Sequence, residues 1–341
     1  MFAVMDCGTT NTRIYVVDEN RKIVASGNTK VGVRDTSITG SRDRLRTEVT
    51  KLFNRILDEN NIRKEDVEFL IASGMVTSEI GLMEIPHLVT PVGLSDLSNN
   101  IVRVKDDEVL PIHCPIYFIR GTKNDTGNEP HASKLPEMDF MRGEEVQCMG
   151  IIDMFPEIKD AFNIVALSSH TKIMAIDSEK RICASSTSIS GQFYELIVNS
   201  TNIGSSVVEK ENDPEPRRYT DQEMIDIAYD CVMNCGLSRT MLMPRFLQVL
   251  TKTNSKERHL FLDAAIAADD IVMFRQMRER GYDGNTYIFF GHKTRCELYT
   301  YLLKKYVDPS LKIISISDTK EIAELTVRGA TKVALETIKN K

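Results

Sequence analysis

Short apolar segments separated by polar turns open the chain three times in succession. Residues 2–6 (FAVMD), 12–18 (TRIYVVD) and 22–27 (KIVASG) each have the length and composition of a β-strand. Residues 41–60 then place apolar side chains at helical spacing, with Ser41 as the expected N-cap. The pattern predicts three consecutive strands followed by a helix.

A strand at 67–74, a helix within the long stretch 86–100, a strand at 115–121 and a helix at 143–155 complete the order βββαβαβα for the first half of the chain. The intervening stretch 86–100 shows no clear period. The polar segment 121–139 is rich in Gly, Pro and Asn, and we expect it to be a linker or mobile loop. A ligand-binding lid is the alternative for this segment.

The second half begins in the same way, with three strands and a helix. In order, the predicted segments are strands 162–169, 171–178 and 180–186, helix 189–200, a helical insert at about 205–282, strand 286–291, helix 294–306, strand 312–317 and helix 321–338. Both halves therefore share one order of elements. We expect an α/β protein of two like domains, 1–155 and 156–341, with a cleft between them.

Composition and charge narrow the class of protein. The 341 residues are 42% hydrophobic and 27% charged, as in an ordinary globular protein. A net charge of -6 disfavours nucleic acid as a partner, since such affinity rests on a basic surface. No apolar run approaches the roughly 20 residues that span a bilayer, and Asp6 interrupts any secretory apolar region. We therefore expect no membrane partner and a cytoplasmic location, while a homodimer stays open.

The stretch MDCGTTNTR, at the first predicted turn between strands, carries the most informative chemistry. A glycine there can take a positive φ and expose backbone N–H groups. Hydroxyl and amide donors follow it in a row, which gives the candidate phosphate contacts Gly8, Thr9, Thr10 and Asn11. A Gly-Thr hairpin without any ligand is the alternative.

Two charged residues flank this turn. Asp6 ends the first strand, where one carboxylate can hold a hydrated Mg²⁺ together with phosphate oxygens. Arg13 lies in the second strand, and its charge is directed either to phosphate or to solvent. We predict Asp6 as a Mg²⁺ ligand through water and Arg13 as a phosphate contact.

The second half repeats this device in NIVALSSHTKIMAID, a strand, a turn with small hydroxyl residues and another strand. Its candidate phosphate contacts are Ser168, Ser169, His170, Thr171 and Lys172. A polar hairpin without a ligand is again the alternative. The chain has no GxxxxGK followed by Ser or Thr, which excludes a P-loop, and no GxGxxG after a strand, which disfavours a dinucleotide enzyme.

Several stretches resemble a known family. DCGTTNTR is similar to the first phosphate motif of the actin-like ATPase and sugar-kinase superfamily. More narrowly, the chain resembles the 2-dehydro-3-deoxygalactonokinases, in the family's order, through MDCGTTNTR, SGMVTSEIGLMEIPH, DFMRGEEVQCMG, LSSHTKI and SISGQFYELIVNS. FFGHKTRCELYTYLL in the last third agrees weakly. MRGEEVQ is the most specific of these stretches.

The resemblance implies an actin-like ATPase (ribonuclease H-like) fold of two βββαβαβα domains, with ATP and Mg²⁺ in the cleft. It implies a kinase that phosphorylates a 2-keto-3-deoxy sugar acid, first of all 2-dehydro-3-deoxy-D-galactonate, at its terminal hydroxyl. The N-terminal domain would supply the first phosphate turn and the sugar-acid contacts. The C-terminal domain would supply the second turn and the nucleotide contacts, Gly291 among them.

Residues of the middle stretches suit an acidic sugar. Gly74 ends a strand at the expected cleft and leaves Thr77 and Ser78 to open a helix, where a carboxylate or sugar hydroxyls can bind. The candidate substrate contacts in this stretch are Gly74, Met75 and Ser78. Arg142 can pair bidentately with a substrate carboxylate. Gln192 is a further candidate for contacting the substrate.

The two glutamates of MRGEEVQ are the candidates for proton transfer. A kinase needs a carboxylate to accept the proton of the attacking hydroxyl, and we assign this role to Glu144, with Asp139 and Glu145 as rivals. Glu145 is also a candidate for binding sugar hydroxyls. Both glutamates begin a helix, where negative charge is favourable without any catalytic role.

The departures from the family cluster in the second half. The family has Pro-Gly-Thr where this chain has Leu-Ser-Ser at 167–169, Glu in place of Gln192, and glycines in place of Ala264 and Ala268. These changes bear on phosphate and nucleotide binding. Two alternatives to the expected kinase therefore stand: a divergent kinase of the superfamily with another sugar substrate, and a non-catalytic protein that binds a metabolite or nucleotide.

Overall fold

The computed structural model describes residues 1–208 and 217–339. Its strands are β1 (Phe2–Cys7), β2 (Thr12–Val17), β3 (Ile23–Thr29), β4 (Leu70–Gly74), β5 (Leu88–Val89), β6 (Val102–Val104), β7 (Ile116–Phe118), β8 (Thr122–Lys123), β9 (Phe140–Met141), β10 (Phe162–Leu167), β11 (Thr171–Ile176), β12 (Ile182–Ser188), β13 (Thr286–Gly291) and β14 (Lys312–Ile316). Its helices are α1 (Val33–Thr39), α2 (Asp43–Glu59), α3 (Leu94–Asn99), α4 (Glu144–Met154), α5 (Ser190–Ser200), α6 (Gly204–Val207), α7 (Asp221–Cys235), α8 (Leu237–Thr240), α9 (Met243–Leu250), α10 (Ser255–Glu279), α11 (Lys293–Tyr306) and α12 (Thr319–Lys339).

The chain divides into two compact units. Unit 1 contains Met1–Ala161, Met174–Ser185 and the chain from Thr319 onward, and unit 2 contains Phe162–Ile173 and Ser186–Asp318. The C-terminal helix α12 thus belongs to the same unit as the first strands.

Unit 1 is built on a six-stranded mixed sheet of order β3-β2-β1-β4-β7-β6. Strand β1 pairs antiparallel with β2 and parallel with β4, and β4 pairs parallel with β7. The apolar residues of β1 and β4 are almost wholly buried, as expected for central strands with both faces covered. Their carboxyl ends, at Cys7 and Gly74, lie side by side in the register.

One face of this sheet is covered by α2, whose apolar stripe Leu45, Val49, Leu52, Phe53 and Ile56 is buried in a single core with β1 and β2. Helix α12 packs closely on α4. A Cβ added at Gly150 would clash with the Leu325 carbonyl, and one added at Gly329 would clash with that of Val146. Glycine is therefore required at both points of this close approach.

A second sheet has five strands in the order β12-β11-β10-β13-β14, in which β10, β13 and β14 are parallel. The three strands that open each half of the chain and the next two strands therefore follow the same order in both sheets. This order confirms the predicted α/β fold class. The predicted insert contains α6 to α10, and its residues 209–216 lie outside the described part of the chain.

Two local expectations were wrong. Ser41 is not the N-cap of α2, which begins after Arg42, although the Ser41 hydroxyl accepts the Asp43 N–H at 3.1 Å. Segment 121–139 is more than a linker, because β8 pairs with β5 and β9 in a three-stranded sheet. The Asn124 amide fixes this segment by donating to the carbonyls of Glu137 and Ser185, each at 2.8 Å.

Elements that the sequence pattern did not predict are α1, β6 and the three-stranded sheet. Each is seven residues or shorter, too short to show a period of its own. Among the described residues, no helix is both long and apolar enough to cross a bilayer.

Candidate active site

The first polar turn joins β1 to β2. The Gly8 N–H donates to the Asn11 carbonyl at 2.9 Å and closes the turn, with Thr9, Thr10 and Asn11 exposed. At its base the register pairs Asp6 with Arg13 and Cys7 with Thr12. The hydroxyl and amide groups predicted to contact phosphate therefore lie together at one exposed turn.

The start of α1 holds this turn from behind. The Val33 N–H donates to the Gly8 carbonyl at 3.2 Å, and the Arg34 N–H donates to the Thr9 carbonyl at 2.9 Å. Gly32 makes the approach possible, because an added Cβ would lie 2.5 Å from the carbonyl oxygens of both Gly8 and Thr9. The backbone of the turn is thus fixed by an element that the sequence pattern did not predict.

Asp6 lies in an environment that disfavours its charged form. Burial raises the pKa of its carboxyl above the ordinary 3.8, and the nearby carboxylate of Glu144 raises it further, while Arg13 lowers it. The Arg13 Nη1 lies 3.6 Å from the Asp6 Oδ2. A carboxylate with these neighbours gains stability from an added cation or proton.

Two glycines lie beside the Asp6 carboxylate. Gly74, at the end of β4, has a φ of 87°, and a Cβ added to it would lie 2.6 Å from the Cys7 carbonyl oxygen and 3.4 Å from the Asp6 Oδ1. A Cβ added to Gly143 would lie 3.3 Å from the Gly74 Cα. The chain leading into α4 therefore passes directly over the carboxyl end of β4, and this brings Glu144 near Asp6.

The two glutamates at the start of α4 have different environments. Glu145 is fully buried, and both its carboxylate oxygens accept the Gly143 N–H, at 2.9 and 2.8 Å. Glu144 is only half-buried and acts electrostatically on Asp6. The structure thus brings Glu144, not Glu145, to the Asp6 side, while Asp139 lies before β9 with its carbonyl bonded to the Asn124 N–H.

Arg142 is held by the segment that follows β4. Its Nη1 donates to the Thr77 hydroxyl at 2.7 Å and its Nη2 to the Ile85 carbonyl at 2.8 Å. Met75 and Ser78 belong to this same segment, and the Ser78 hydroxyl donates to the Met75 carbonyl at 2.7 Å. Arg142 is therefore fixed in orientation next to the residues predicted to contact the sugar acid.

The second polar turn joins β10 to β11 in unit 2. The Ser168 N–H donates to the His170 carbonyl at 3.0 Å, and the Ser169 hydroxyl lies 3.3 Å from the His170 Nδ1. Ser168 and Ser169 are exposed, whereas Thr171 and Lys172 are buried at the start of β11. The five predicted residues therefore divide into an exposed turn and a buried strand start.

The start of α5 holds the second turn as α1 holds the first. The Gln192 N–H donates to the Ser169 carbonyl at 2.9 Å. A Cβ added at Gly191 would clash with the Ser168 carbonyl and lie 2.9 Å from the Ser169 Cα. The Gln192 side chain is exposed, so its backbone, rather than its amide, makes the contact with the turn.

Gly291 ends β13 next to β10, paired with Leu167 in the register. Its φ is 153°, and an added Cβ would clash with the Leu167 carbonyl oxygen. The two positions where the family has glycine, Ala264 and Ala268, are fully buried within α10. The extra methyl groups therefore lie in the interior of unit 2.

Sequence reasoning missed several residues that shape the two turns. They are Gly32 and Gly191, which admit the helix starts, and a buried group in unit 2 formed by Asp270, Tyr299 and Arg295. The glycines carried a usable signal, since each directly precedes or opens a helix after the third strand of its sheet. The buried group carried none, because its members come from helices distant in sequence.

The two sheets of one strand order, each with a polar turn between its first two strands, define the fold class of the actin-like ATPases and sugar kinases. A crystal structure from Sinorhizobium meliloti, provisionally assigned as a 2-dehydro-3-deoxygalactonokinase, has this fold. It superposes with a TM-score of 0.73 at 16% identity and covers 98% of this chain and 96% of its own.

Within that class, the sequence profile described as 2-keto-3-deoxy-galactonokinase matches residues 6–319. The chain belongs to this family of kinases. A protein from Rhizobium meliloti (strain 1021), whose name 2-dehydro-3-deoxygalactonokinase is qualified as probable, is 22% identical over 211 residues. That alignment covers 61% of this chain and spans 60% of the relative, less than two thirds of its length.

Proposed function

We propose that the chain is an ATP-dependent kinase that phosphorylates a 2-keto-3-deoxy sugar acid, 2-dehydro-3-deoxy-D-galactonate first of all, at its terminal hydroxyl. Membership of the family supports the reaction class. The observation that carries the proposal is the Asp6 carboxylate, which lies at the base of the first polar turn and is influenced by Glu144. In phosphoryl transfer to an alcohol, one carboxylate can accept the hydroxyl proton and another can hold Mg²⁺ beside the phosphates.

We assign the nucleotide's phosphates to the two polar turns. In unit 1 the contacts would come from Gly8, Thr9, Thr10, Asn11 and Arg13. In unit 2 they would come from Ser168, Ser169 and His170, with Gly291 near the nucleotide, whereas the predicted contacts Thr171 and Lys172 are buried at the start of β11. Exposed hydroxyls on turns whose backbones are held by helix starts support this assignment, since a fixed turn keeps its donors aimed.

Asp6 is the proposed Mg²⁺ contact, through water. The described residues contain no group of three or more His, Cys, Asp or Glu that could hold a metal, which agrees with an ion that relies on one or two carboxylates and on phosphate oxygens. Gly74 leaves space at the Asp6 Oδ1 that a side chain would fill. When bound, Mg²⁺ would neutralise phosphate charge.

The sugar acid is assigned to the segment after β4 and to the start of α4. Arg142 would bind its carboxylate: a guanidinium carries five N–H donors, and the bonds to Thr77 and Ile85 fix its plane while engaging two of them. Gly74, Met75, Ser78 and Gln192 are the further proposed contacts. Glu145 would contribute indirectly, by fixing Gly143 at the start of α4, because both its carboxylate oxygens accept the Gly143 N–H.

Glu144 is the proposed general base. It would accept the proton of the terminal hydroxyl as that oxygen attacks the γ-phosphorus of ATP and ADP leaves. Its half-buried position near Asp6 supports this role over that of Glu145, whose carboxylate is engaged in the interior. Mg²⁺, when bound, would favour the ionised form of Asp6.

A substrate panel tests the proposal. The protein is incubated with ATP, Mg²⁺ and a series of 2-keto-3-deoxy acids and related hexonates and hexoses, and ADP release is followed. We expect turnover with 2-dehydro-3-deoxy-D-galactonate and none without an acid. Turnover with another sugar alone would support the divergent kinase, and nucleotide-dependent heat stabilisation without any turnover would support the binding protein.

The remaining predictions concern the partner, the location and the assembly of the protein. The acidic net charge of -6 supports a small-molecule partner over nucleic acid. A cytoplasmic location and the homodimer alternative stay predictions.

A further inference from the structure

A buried carboxylate in unit 2 connects three separate parts of the chain. Asp270, on α10, is 4% exposed. Its Oδ1 accepts the Ser188 hydroxyl at 2.6 Å, and its Oδ2 accepts the hydroxyls of Ser190 and Tyr299, each at 2.5 Å. These donors stand at the end of β12, at the start of α5 and in the middle of α11.

Two of these three parts, α5 and α11, also touch the second polar turn. Gly191 and Gln192, directly after Ser190, lie against Ser169, and the Gln192 N–H donates to its carbonyl at 2.9 Å. The Tyr299 hydroxyl lies 3.0 Å from the Thr171 hydroxyl at the other end of the turn. The residues that donate hydrogen bonds to Asp270, or their chain neighbours, therefore contact both ends of the turn.

Arg295 completes the arrangement on α11. It lies one helical turn before Tyr299 and donates to the Ser168 carbonyl at 3.1 Å and to the Tyr299 hydroxyl at 3.2 Å. Burial raises the pKa of Tyr299 well above 10, so its hydroxyl keeps its proton and continues to donate to Asp270. The Ser168 carbonyl is therefore held by a helix that Asp270 itself anchors.

We propose that Asp270 is a positioning residue for the second phosphate turn, which sets the direction of the turn's backbone and hydroxyl donors and thereby the affinity for the nucleotide's phosphates. The inference rests on the proposed function, because it takes this turn to be a phosphate contact. A single carboxylate with three hydroxyl donors fixes the turn more firmly than any one of its local contacts, since removal of the acceptor leaves three hydroxyls without it, those of Ser190 and Tyr299 buried and that of Ser188 half-buried.

The same geometry gives Asp270 no part in the chemical step. Its oxygens are occupied by the three hydroxyl groups, and it reaches the turn only through other residues. Its loss should therefore weaken nucleotide binding more than the binding of the sugar acid, whose proposed contacts other than Gln192 lie in unit 1.

The test compares Asp270→Asn with Asp226→Asn. Asp226 is a matched control: it is a carboxylate of unit 2 that also accepts tyrosine hydroxyls from α11, those of Tyr301 and Tyr306, and neither of these bonds reaches the turn. Steady-state KM values for ATP and for the sugar acid are measured, together with the Kd for Mg-ADP by calorimetry. The Kd gives a readout that does not depend on turnover.

We expect Asp270→Asn to raise both the KM for ATP and the Kd for Mg-ADP about tenfold, with the KM for the sugar acid within about twofold of the parent. Asp226→Asn should lower the melting temperature and leave all three constants unchanged. Parental nucleotide constants in Asp270→Asn, or an equal rise in Asp226→Asn, would overturn the inference.

A milder variant covers the case in which Asp270→Asn fails to fold. Ser190→Ala removes one of the three donors and keeps the helix start, so it should raise the Kd for Mg-ADP about threefold; no change would overturn the inference. If the parent binds Mg-ADP but phosphorylates no acid, the kinase proposal fails and the Kd values still decide the role of Asp270. If the parent binds no nucleotide, both fail.

Discussion

The two polar turns are built alike and surrounded differently. Each joins the first two strands of its sheet, and the backbone of each turn accepts hydrogen bonds from the start of a helix. Glycine is required at both helix starts, Gly32 in unit 1 and Gly191 in unit 2, because an added Cβ would clash with the turn. In unit 1 the turn stands beside Asp6 and Glu144. In unit 2 it stands beside Arg295 and a network of neutral hydroxyls around Asp270.

This difference predicts different functional roles for the two turns in the proposed kinase. Carboxylates that can hold a cation and accept a proton are needed where bonds form and break, and they lie at the first turn. Hydroxyls and a guanidinium suit the binding of phosphate without taking part in proton transfer. Substitutions at the first turn should therefore lower kcat, and those at the second should raise the KM for the nucleotide.

The largest expected effect is that of Asp6→Asn. Removal of the proposed Mg²⁺ contact should lower kcat about a hundredfold or more. The fold should be intact, because in the folded chain burial and Glu144 make the ionised carboxylate unfavourable. Activity and urea unfolding measured on the same sample check both parts, and near-normal turnover would end the metal assignment.

The pH dependence of stability sharpens this test. The pKa of Asp6 is raised in the folded state, so the folded chain binds this proton more tightly than the unfolded chain does. The contribution of Asp6 to the free energy of unfolding therefore falls as the pH rises from the ordinary value of 3.8 through the raised one. Asp6→Asn should remove this decline, and Mg²⁺ with nucleotide should offset it in the parent.

The next largest effects are expected for Gly32→Ala and Gly191→Ala, which test the difference between the two turns directly. Each added methyl group would push its helix start away from its turn, and a shift of about 1 Å at a catalytic site can cost about a hundredfold in rate. We expect Gly32→Ala to lower kcat and Gly191→Ala to raise the KM for ATP. Steady-state kinetics with both substrates varied separates the two.

Gly27→Ala is the control for crowding alone. Its Cβ would lie 2.9 Å from the Ile56 side chain and touch neither turn, so it should lower the melting temperature without changing the kinetic constants. If all three glycine variants lose only stability, the turns have no part in binding.

A smaller effect is expected for Arg142→Lys. Lysine keeps the charge but loses the fork that binds a carboxylate in two places, so the KM for the sugar acid should rise about tenfold. The KM for ATP should be unchanged. Arg142→Ala should also lower the melting temperature, since the bonds to Thr77 and Ile85 are lost. An unchanged KM for the acid in both variants would refute the proposed pairing of Arg142 with the substrate carboxylate.

The smallest effect is expected for Ser168→Gly, which restores the family's glycine at the second turn. The Ser168 carbonyl is already held by Arg295, and the side chain is exposed, so little needs to move. The KM for ATP should fall by no more than about threefold, and the flexible glycine should cost about 0.5–1 kcal/mol of stability. A rise in KM would mean that the Ser168 hydroxyl itself binds phosphate.

The strands and long helices could be predicted because their apolar residues repeat with a regular period. The order of strands 2–29 and 162–188 and the helices around Leu45 and Tyr299 follow from such patterns. The same reasoning found the position of the first turn, because a glycine and three polar residues directly follow a buried strand there.

What could not be predicted depends on contacts between residues distant in sequence. The distinction between Glu144 and Glu145 rests on the Gly143 N–H, and the burial of Lys172 rests on the packing of β11. The Asp270 group draws on four elements, and its serines and tyrosine occur in segments that looked like ordinary strand ends and helix interiors.

The most direct measurement is a ³¹P NMR spectrum of the parent protein's reaction with ATP, Mg²⁺ and 2-dehydro-3-deoxy-D-galactonate, with Glu144→Gln run in parallel. The account predicts that the γ-phosphate signal of the parent sample is replaced by a phosphomonoester signal coupled to the two protons of the terminal CH₂ group. Glu144→Gln should form this ester at least about a hundredfold more slowly. Inorganic phosphate without any ester in the parent reaction, or ester formation at the parental rate by Glu144→Gln, would contradict it.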